Sequence, residues 1–150
     1  MKIKDILQAK GSKVWMVREN ETIQDVLHVL VSQKIGAILV SDEKGEKIAG
    51  IISERDIVRG AFSWGDKLSK MPVSKLMTRH VIVGSPEDDI TQVMDLMTEK
   101  RLRHLPVVDG GRLRGIVSIG DVVKILMRDA EHEIRHLKEY MYGGGTEISQ

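Results

Sequence analysis

The sequence predicts an α/β (α+β) fold of two repeated β-α-β-β-α units packed as a pseudo-two-fold pair, and three observations carry that reading. The chain matches itself at a nearly fixed offset, each half alternates short apolar runs with helical spacing, and neither half has enough sheet to close a core alone. A shift of 67 residues lays 14–42 on 81–109 and pairs Val14 with Val81, Ile23 with Ile90, Val26 with Val93, Val40 with Val107 and Asp42 with Asp109. After a two-residue gap the offset is 65, and GIISERDIV at 50–58 falls on GIVSIGDVV at 115–123 with Gly, Ile, Ser, Asp and Val in common. Duplication accounts for this better than chance.

Each half opens with an apolar stretch, Val14-Trp15-Met16-Val17 or Val81-Ile82-Val83, read as a first strand. A helix follows, with Ile23, Val26, Leu27, Leu30 and Val31, or Ile90, Val93, Met94 and Met97, on one face. Ser85-Pro86-Glu87-Asp88 has the residues of a helix start, which places the second of these helices there, whereas the first shows no such cap. Two strands joined by a tight turn come next. They are Gly36–Val40 or His104–Val108, a turn at Asp42-Glu43-Lys44-Gly45 or Asp109-Gly110-Gly111, and an apolar stretch ending in Gly50 or Gly115. A last helix follows Ser53 or Ser118.

Residues 60–72, with Gly60, Gly65 and Pro72, form the connection, and Val73, Leu76 and Met77 make a helical turn that echoes Ile3, Ile6 and Leu7. The second final helix has no Gly or Pro to stop it before Tyr142, and Gly143-Gly144-Gly145 then begins a flexible tail. The expected division is a first repeat with its lead-in at 1–62, a linker at 63–77, a second repeat at 78–128, and a helical extension with tail at 129–150.

At 150 residues, with 41% apolar and 30% charged, the chain is an ordinary globular protein with little room for a separate catalytic domain. Its aromatic residues, Trp15, Phe62, Trp64, Tyr140 and Tyr142, are too few for a platform that stacks single-stranded nucleic acid. A net charge of +1 provides no global field for DNA or an anionic membrane. Without cysteine there are neither disulfides nor thiolate metal sites. No apolar run approaches the roughly 18 residues of a membrane span and the start lacks a signal-peptide core, so the expected location is the cytoplasm.

The segment Gly50-Ile51-Ile52-Ser53-Glu54-Arg55-Asp56 recurs as Gly115-Ile116-Val117-Ser118-Ile119-Gly120-Asp121, with His104-Leu105-Pro106-Val107 ahead of the second copy. On these residues the chain resembles the CBS-domain family, as a tandem pair of the kind called a Bateman module, over roughly residues 3–128. The resemblance implies sites in a cleft between the repeats where adenosine nucleotides bind. Asp121 and Asp56 would hold ribose hydroxyls, since an ionised carboxylate accepts two hydrogen bonds from a cis-diol. Ser118 and Ser53 at the helix starts would meet phosphate, with Arg103, His104 and Arg55 as basic partners. Val81, Ile82, Leu105 and Pro106 would contact adenine. Ser followed three residues later by Asp is also a capping box, which by itself needs no ligand. The first repeat has Gly36-Ala37-Ile38-Leu39 where the second has a basic residue and a proline, so the Asp121 site is expected to be the better formed.

His132-Glu133-Ile134-Arg135-His136 satisfies HExxH, but a catalytic zinc needs a third protein ligand and a cleft, and no later histidine follows. No metal is therefore expected. His28 falls on a polar helical face, and Met94 and Met97 on the core face. The expected function is non-catalytic: a regulatory module sensing AMP, ADP, ATP, NAD(H) or S-adenosylmethionine, with no catalytic cofactor and an unidentified regulated protein as partner. A homodimer is expected through Val58, Ala61, Val122, Val123, Ile125 and Leu126. The alternatives are a structural dimerisation module with vestigial sites and, third, a zinc peptidase.

Overall fold

Thr22 decides where the first long helix begins. Its N–H donates to the Asp25 carboxylate at 2.9 Å while its hydroxyl accepts from the Asp25 N–H at 3.3 Å. This is a capping box of the kind the sequence reading found missing here. In the computed structural model, which describes residues 1–11 and 13–141, α1 is Ile3–Lys10, β1 Met16–Arg18, α2 Ile23–Gln33, β2 Ala37–Ser41, β3 Ile48–Ser53 and α3 Glu54–Trp64. Beyond them lie α4 (Ile90–Glu99), β4 (His104–Asp109), β5 (Arg112–Ser118) and α5 (Ile119–Met141). The expected flexible tail from Gly143 lies outside the described residues.

Residues Lys13–Val83 form one compact unit, here the central unit. Its sheet runs β1-β2-β3, with β1 parallel and β3 antiparallel to β2. All of β2 is buried, which is why Ala37–Ser41 shows no polar alternation. Ile23, Val26 and Leu30 of α2 and Ile57 of α3 pack on it with Ile38, Val40 and Ile52. Helix α3 passes through Gly60, which the sequence reading assigned to the connection. A side chain there would strike Leu76 and Leu68, so glycine lets the following 3-10 turns lie close.

The second unit is split in sequence, combining the chain's start with residues from Gly84 onward. Its core joins Ile3 and Ile6 of α1 to Ile90, Val93, Leu105 and Val122. The hairpin β4–β5 turns at Gly110 and Gly111, with φ of 59° and 76°. Those angles suit the two-residue turn that matches strand twist. The expected strand at Val81-Ile82-Val83 does not form, and only Gly84 bridges Val107 in parallel. Gly84 N–H donates to the Pro106 carbonyl at 2.8 Å and its carbonyl accepts from Val108 at 2.9 Å. Extending that ladder toward Ile82 needs an N–H at position 106, and proline has none.

Helix α4 begins at Ile90, capped by Asp89, whose carboxylate accepts from the Thr91 N–H at 2.8 Å. The Ser85–Asp88 segment, expected as the helix start, instead closes a turn on itself, with the Ser85 N–H donating to Asp88 at 2.8 Å. Arg18 and Glu21 do the same in the central unit at 2.6 Å. Lys34 and Arg101, at equivalent positions, both have φ of 55° and end α2 and α4 in the left-handed conformation. Of the apolar residues expected to pair copies, Val122 and Ile125 are buried in their own core, while Val58 and Val123 are exposed.

Each unit is completed by the lead-in of the other repeat. In the central unit Val73 N–H donates to the Glu21 carbonyl at 2.8 Å, Ser74 to Glu19 at 3.1 Å, and Ile23 to Met71 at 2.9 Å. In the split unit Ile3 donates to Asp88 at 3.0 Å, Lys4 to Pro86 at 2.9 Å, and Ile90 to Met1 at 3.0 Å. The turn before the second repeat thus packs with the first, and α1 with the second.

This arrangement explains the repeated glycine, which lies inside β3 or β5 rather than at the strand's end. A Cβ at Gly50 would sit 2.7 Å from the Thr78 carbonyl oxygen and 2.9 Å from Met77 Sδ, and one at Gly115 would sit 2.7 Å from Leu7 Cδ2. Backbone cannot yield as a leucine tip can. Gly50→Ala should therefore lower unfolding free energy by about 1–3 kcal/mol, and Gly115→Ala by clearly less, read from urea midpoints of the two variants. Equal losses would mean that the close approach to Thr78 is not what requires glycine.

Candidate functional site

The two Ser-x-x-Asp segments form the same corner, where a strand runs into a helix. In the split unit the Ser118 N–H donates to Asp121 Oδ2 at 2.8 Å and the Asp121 N–H to Ser118 Oγ at 3.1 Å. In the central unit the Ser53 N–H and Oγ reach Asp56 Oδ2 at 2.9 and 3.1 Å, and the Asp56 N–H returns to Ser53 Oγ at 3.3 Å. The first helical N–H is also committed, Ile119 to the Arg103 carbonyl at 2.8 Å and Glu54 to the Gly36 carbonyl at 3.0 Å. Both corners are complete helix caps, and the second oxygen of each carboxylate, Oδ1, carries none of these bonds.

The split unit brings four expected residues together. His104 stands opposite Ser118 in the β4–β5 register, Arg103 precedes it with an exposed side chain, and Asp121 lies one helical turn into α5. In the central unit Arg55 is exposed beside Ser53 and Asp56. Val81 is half-buried and Ile82 exposed, and both belong to the central unit. Leu105 is 0% exposed and Pro106 is buried. Leu105 is a core side chain packed under Gly84, so it offers no free face to an adenine ring. Lys100 and Arg101 have a structural duty at the end of α4, where Lys100 N–H donates to Leu96 and Arg101 takes the left-handed turn.

One participant was not anticipated. Lys10, in the last turn of α1, donates to Asp121 Oδ2 at 2.7 Å and to the Ile116 carbonyl at 2.8 Å. Burial raises the Asp121 pKa, but the Lys10 hydrogen bond, the Ser118 N–H and the lysine charge outweigh it and hold the carboxyl below the ordinary aspartate range. Among the described residues Asp56 takes part in no ion pair, so the corners differ in charge although their caps match. No local motif marks Lys10. Only the packing of α1 in the split unit brings it there.

His132, Glu133 and His136 lie on the exposed end of α5, and among the described residues no three acidic, His or Cys side chains gather as a metal site. Among them, too, no helix is long and apolar enough to cross a membrane.

Comparison with known proteins agrees with the duplicated corner. The CBS-domain family matches residues 3–62 and 73–128. The chain is 32% identical over 150 residues to the mitochondrial CBS domain-containing protein CBSX3 of Arabidopsis thaliana, covering 95% of this chain and 72% of that one. The crystal structure of the CBS-domain protein ATU1752 from Agrobacterium tumefaciens superposes with a TM-score of 0.79 at 40% identity, over 82% of this chain and 91% of that one. The CBS-domain pair of protein MJ0100, in complex with 5′-methylthioadenosine and S-adenosyl-L-methionine, gives 0.74 at 26% identity, over 86% and 98%.

The Asp121 corner gives a pH signature. A carboxylate with a depressed pKa adds stability that is complete above the ordinary aspartate value of about 3.9 and is lost as pH falls through the depressed one. Asp121→Asn should be less stable than the parent by about 0.3–1 kcal/mol at neutral pH, with the gap closing in strong acid as the parent's carboxylate protonates. Urea melts of both proteins across pH measure this, and a gap that persists unchanged into acid would show that the charge is not its source.

Proposed function

We propose, from the premise that the chain belongs to the CBS-domain family, that it is a regulatory module. It binds an adenosine-containing ligand and passes the event on as a change of conformation or assembly, without catalysing a reaction. The observation that carries this is the strand-to-helix corner built twice, in a chain similar to a CBS pair whose crystal structure holds two adenosine-containing ligands.

At each corner the free oxygen of the carboxylate suits a ribose diol. Asp121 would hold ribose in the split unit, with Ser118, Arg103 and His104 toward phosphate. Asp56, Ser53 and Arg55 would do the same in the central unit. For the base, Val81 and Ile82 offer accessible apolar surface in the central unit, while Leu105 and Pro106 are buried within the split unit. AMP, ADP, ATP, NAD(H) and S-adenosylmethionine share the adenosine that these groups would read.

Lys10 gives the proposal a mechanism. A diol whose first hydroxyl meets the free Oδ1 of Asp121 would bring its second to Oδ2, where it competes with the ammonium, and releasing Lys10 would loosen the last turn of α1 from β5. Binding at the corner is thereby linked to the lead-in helix, which is how occupancy would leave the site. A second reading, a dimerisation module with vestigial corners, is favoured by one observation: both caps are complete without a ligand. Adenine absorbance released by heating the purified protein would separate the two.

A melting screen against those five ligands should raise Tm for one class above the others, because stabilisation follows affinity and concentration. With the best ligand, Asp121→Ala should weaken binding at least tenfold, the equivalent of about 1.4 kcal/mol. Lys10→Met should strengthen it up to about fivefold by removing a competitor worth about 1 kcal/mol or less. No response to any adenosine ligand, or unaltered affinity in both Asp121→Ala and Asp56→Ala, would leave the vestigial reading standing. Weaker binding by Lys10→Met would make the lysine a ligand contact instead.

A further inference from the structure

Helix α5 is anchored and then left uncovered. Val122 and Ile125 are buried, Leu126 and Asp129 are half-buried, and every residue from Ala130 to Met141 is exposed. The exposed part is not uniformly polar. Met127 is 60% exposed, Ile134 53%, Leu137 60% and Met141 74%. With Val123 and Ala130 they recur at alternating steps of four and three residues. At 100° per residue these six lie within roughly 40° of one line, rotated away from the row that faces the unit's own core. A four-and-three spacing is the heptad pattern, with Met127, Ile134 and Met141 at one core position and Ala130 and Leu137 at the other.

We propose that this stripe is half of a parallel two-helix coiled coil, and that its occupant is the α5 extension of a second copy of this chain. The flanking charges identify the partner. Glu133 borders the stripe on one side and Lys138 on the other, five residues on. In a parallel, in-register pair that spacing sets Glu133 of one copy against Lys138 of the next, twice by symmetry. The remaining flanks, Leu126 toward Glu131 and Tyr140 on the Glu133 side, bring no like charges together. Ile134 at the first core position with Leu137 at the second favours two strands over three or four. Alternating acids and bases around the rest of the segment, from Arg128 to Glu139, do not suit an anionic lipid surface. The seam is short, but the first turns of α5 are already ordered by packing, so the nucleation that makes an isolated helix of this length marginal is met in advance.

This inference does not depend on a ligand, so its test needs none. The chain has no cysteine, and single cysteines can be read without background. In the full chain, Leu137→Cys should give a covalent dimer on mild oxidation, because a parallel pair sets residue 137 against itself. His132→Cys, on the opposite side of the helix, should not. In sedimentation equilibrium Ile134→Glu should raise the dissociation constant of the dimer at least about tenfold. Glu133→Lys should raise it roughly fivefold, and adding Lys138→Glu should restore it. Cross-linking at 137 no greater than at 132, or Ile134→Glu assembling like the parent, would overturn the proposal. Failure of Lys138→Glu to rescue Glu133→Lys would overturn the parallel register.

Discussion

The rest of the structure depends on a crossed pairing of backbone. Residues 71–74 close the central unit by hydrogen bonding with 19–23, and residues 1–4 close the split unit by bonding with 86–90. The bonds correspond one for one, and the side chains behind them, Val73 and Ile3, are fully buried. Each such burial is worth about 1.5–3 kcal/mol, a large share for units with two or three strands. A sheet this narrow needs a cover over its open side, and the lead-in of the other repeat provides it. The glycines in β3 and β5 exist to let that cover approach.

The same constraint sharpens what the repeated motif means. Its glycine answers to Thr78 and Leu7, and its serine and aspartate answer to a helix start, so folding alone accounts for three of its residues in both copies. What folding does not account for is the difference between the copies. Arg103 and His104 stand where the central unit has Gly36 and Ala37, and Lys10 neutralises only Asp121. The corners therefore differ in their surroundings, with Lys10 and Arg103 near Asp121 and Arg55 beside Asp56.

Much of this was legible in the sequence. Periodicity and the internal match located α2, α4 and both hairpins, and Gly110-Gly111 marked its turn. The errors trace to particular residues. Thr22-x-x-Asp25 is a helix start that passed unnoticed, and Ser85-Pro86 drew attention to a turn four residues too early, although the alignment of Ile23 with Ile90 already pointed to the correct position. Pro106 held the reason why Val81–Val83 stays out of the sheet, because a missing N–H on one strand limits its neighbour. Lys10 was out of reach. Its partner is 111 residues away, and only the crossed packing of α1 joins them. The four-and-three stripe on α5 was in plain view, hidden behind an HExxH match on the same turns.

The crossed lead-ins also impose an order on the birth of the molecule. The central unit is a single stretch of chain, so everything it needs has been synthesised once residue 83 is free of the ribosome. The split unit must hold its first strand of information, residues 1–11, in reserve until Ile90 and the hairpin after it arrive. Until then Ile3 and Ile6 have no core to enter, and the nascent chain carries an unsatisfied apolar helix ahead of a finished unit. Closing that long loop is entropically affordable, since the cost grows only with the logarithm of its length, but it is slow relative to local contacts. The part of the protein that carries the Lys10–Asp121 corner therefore cannot become native until residues 1–11 meet the stretch from Gly84 onward.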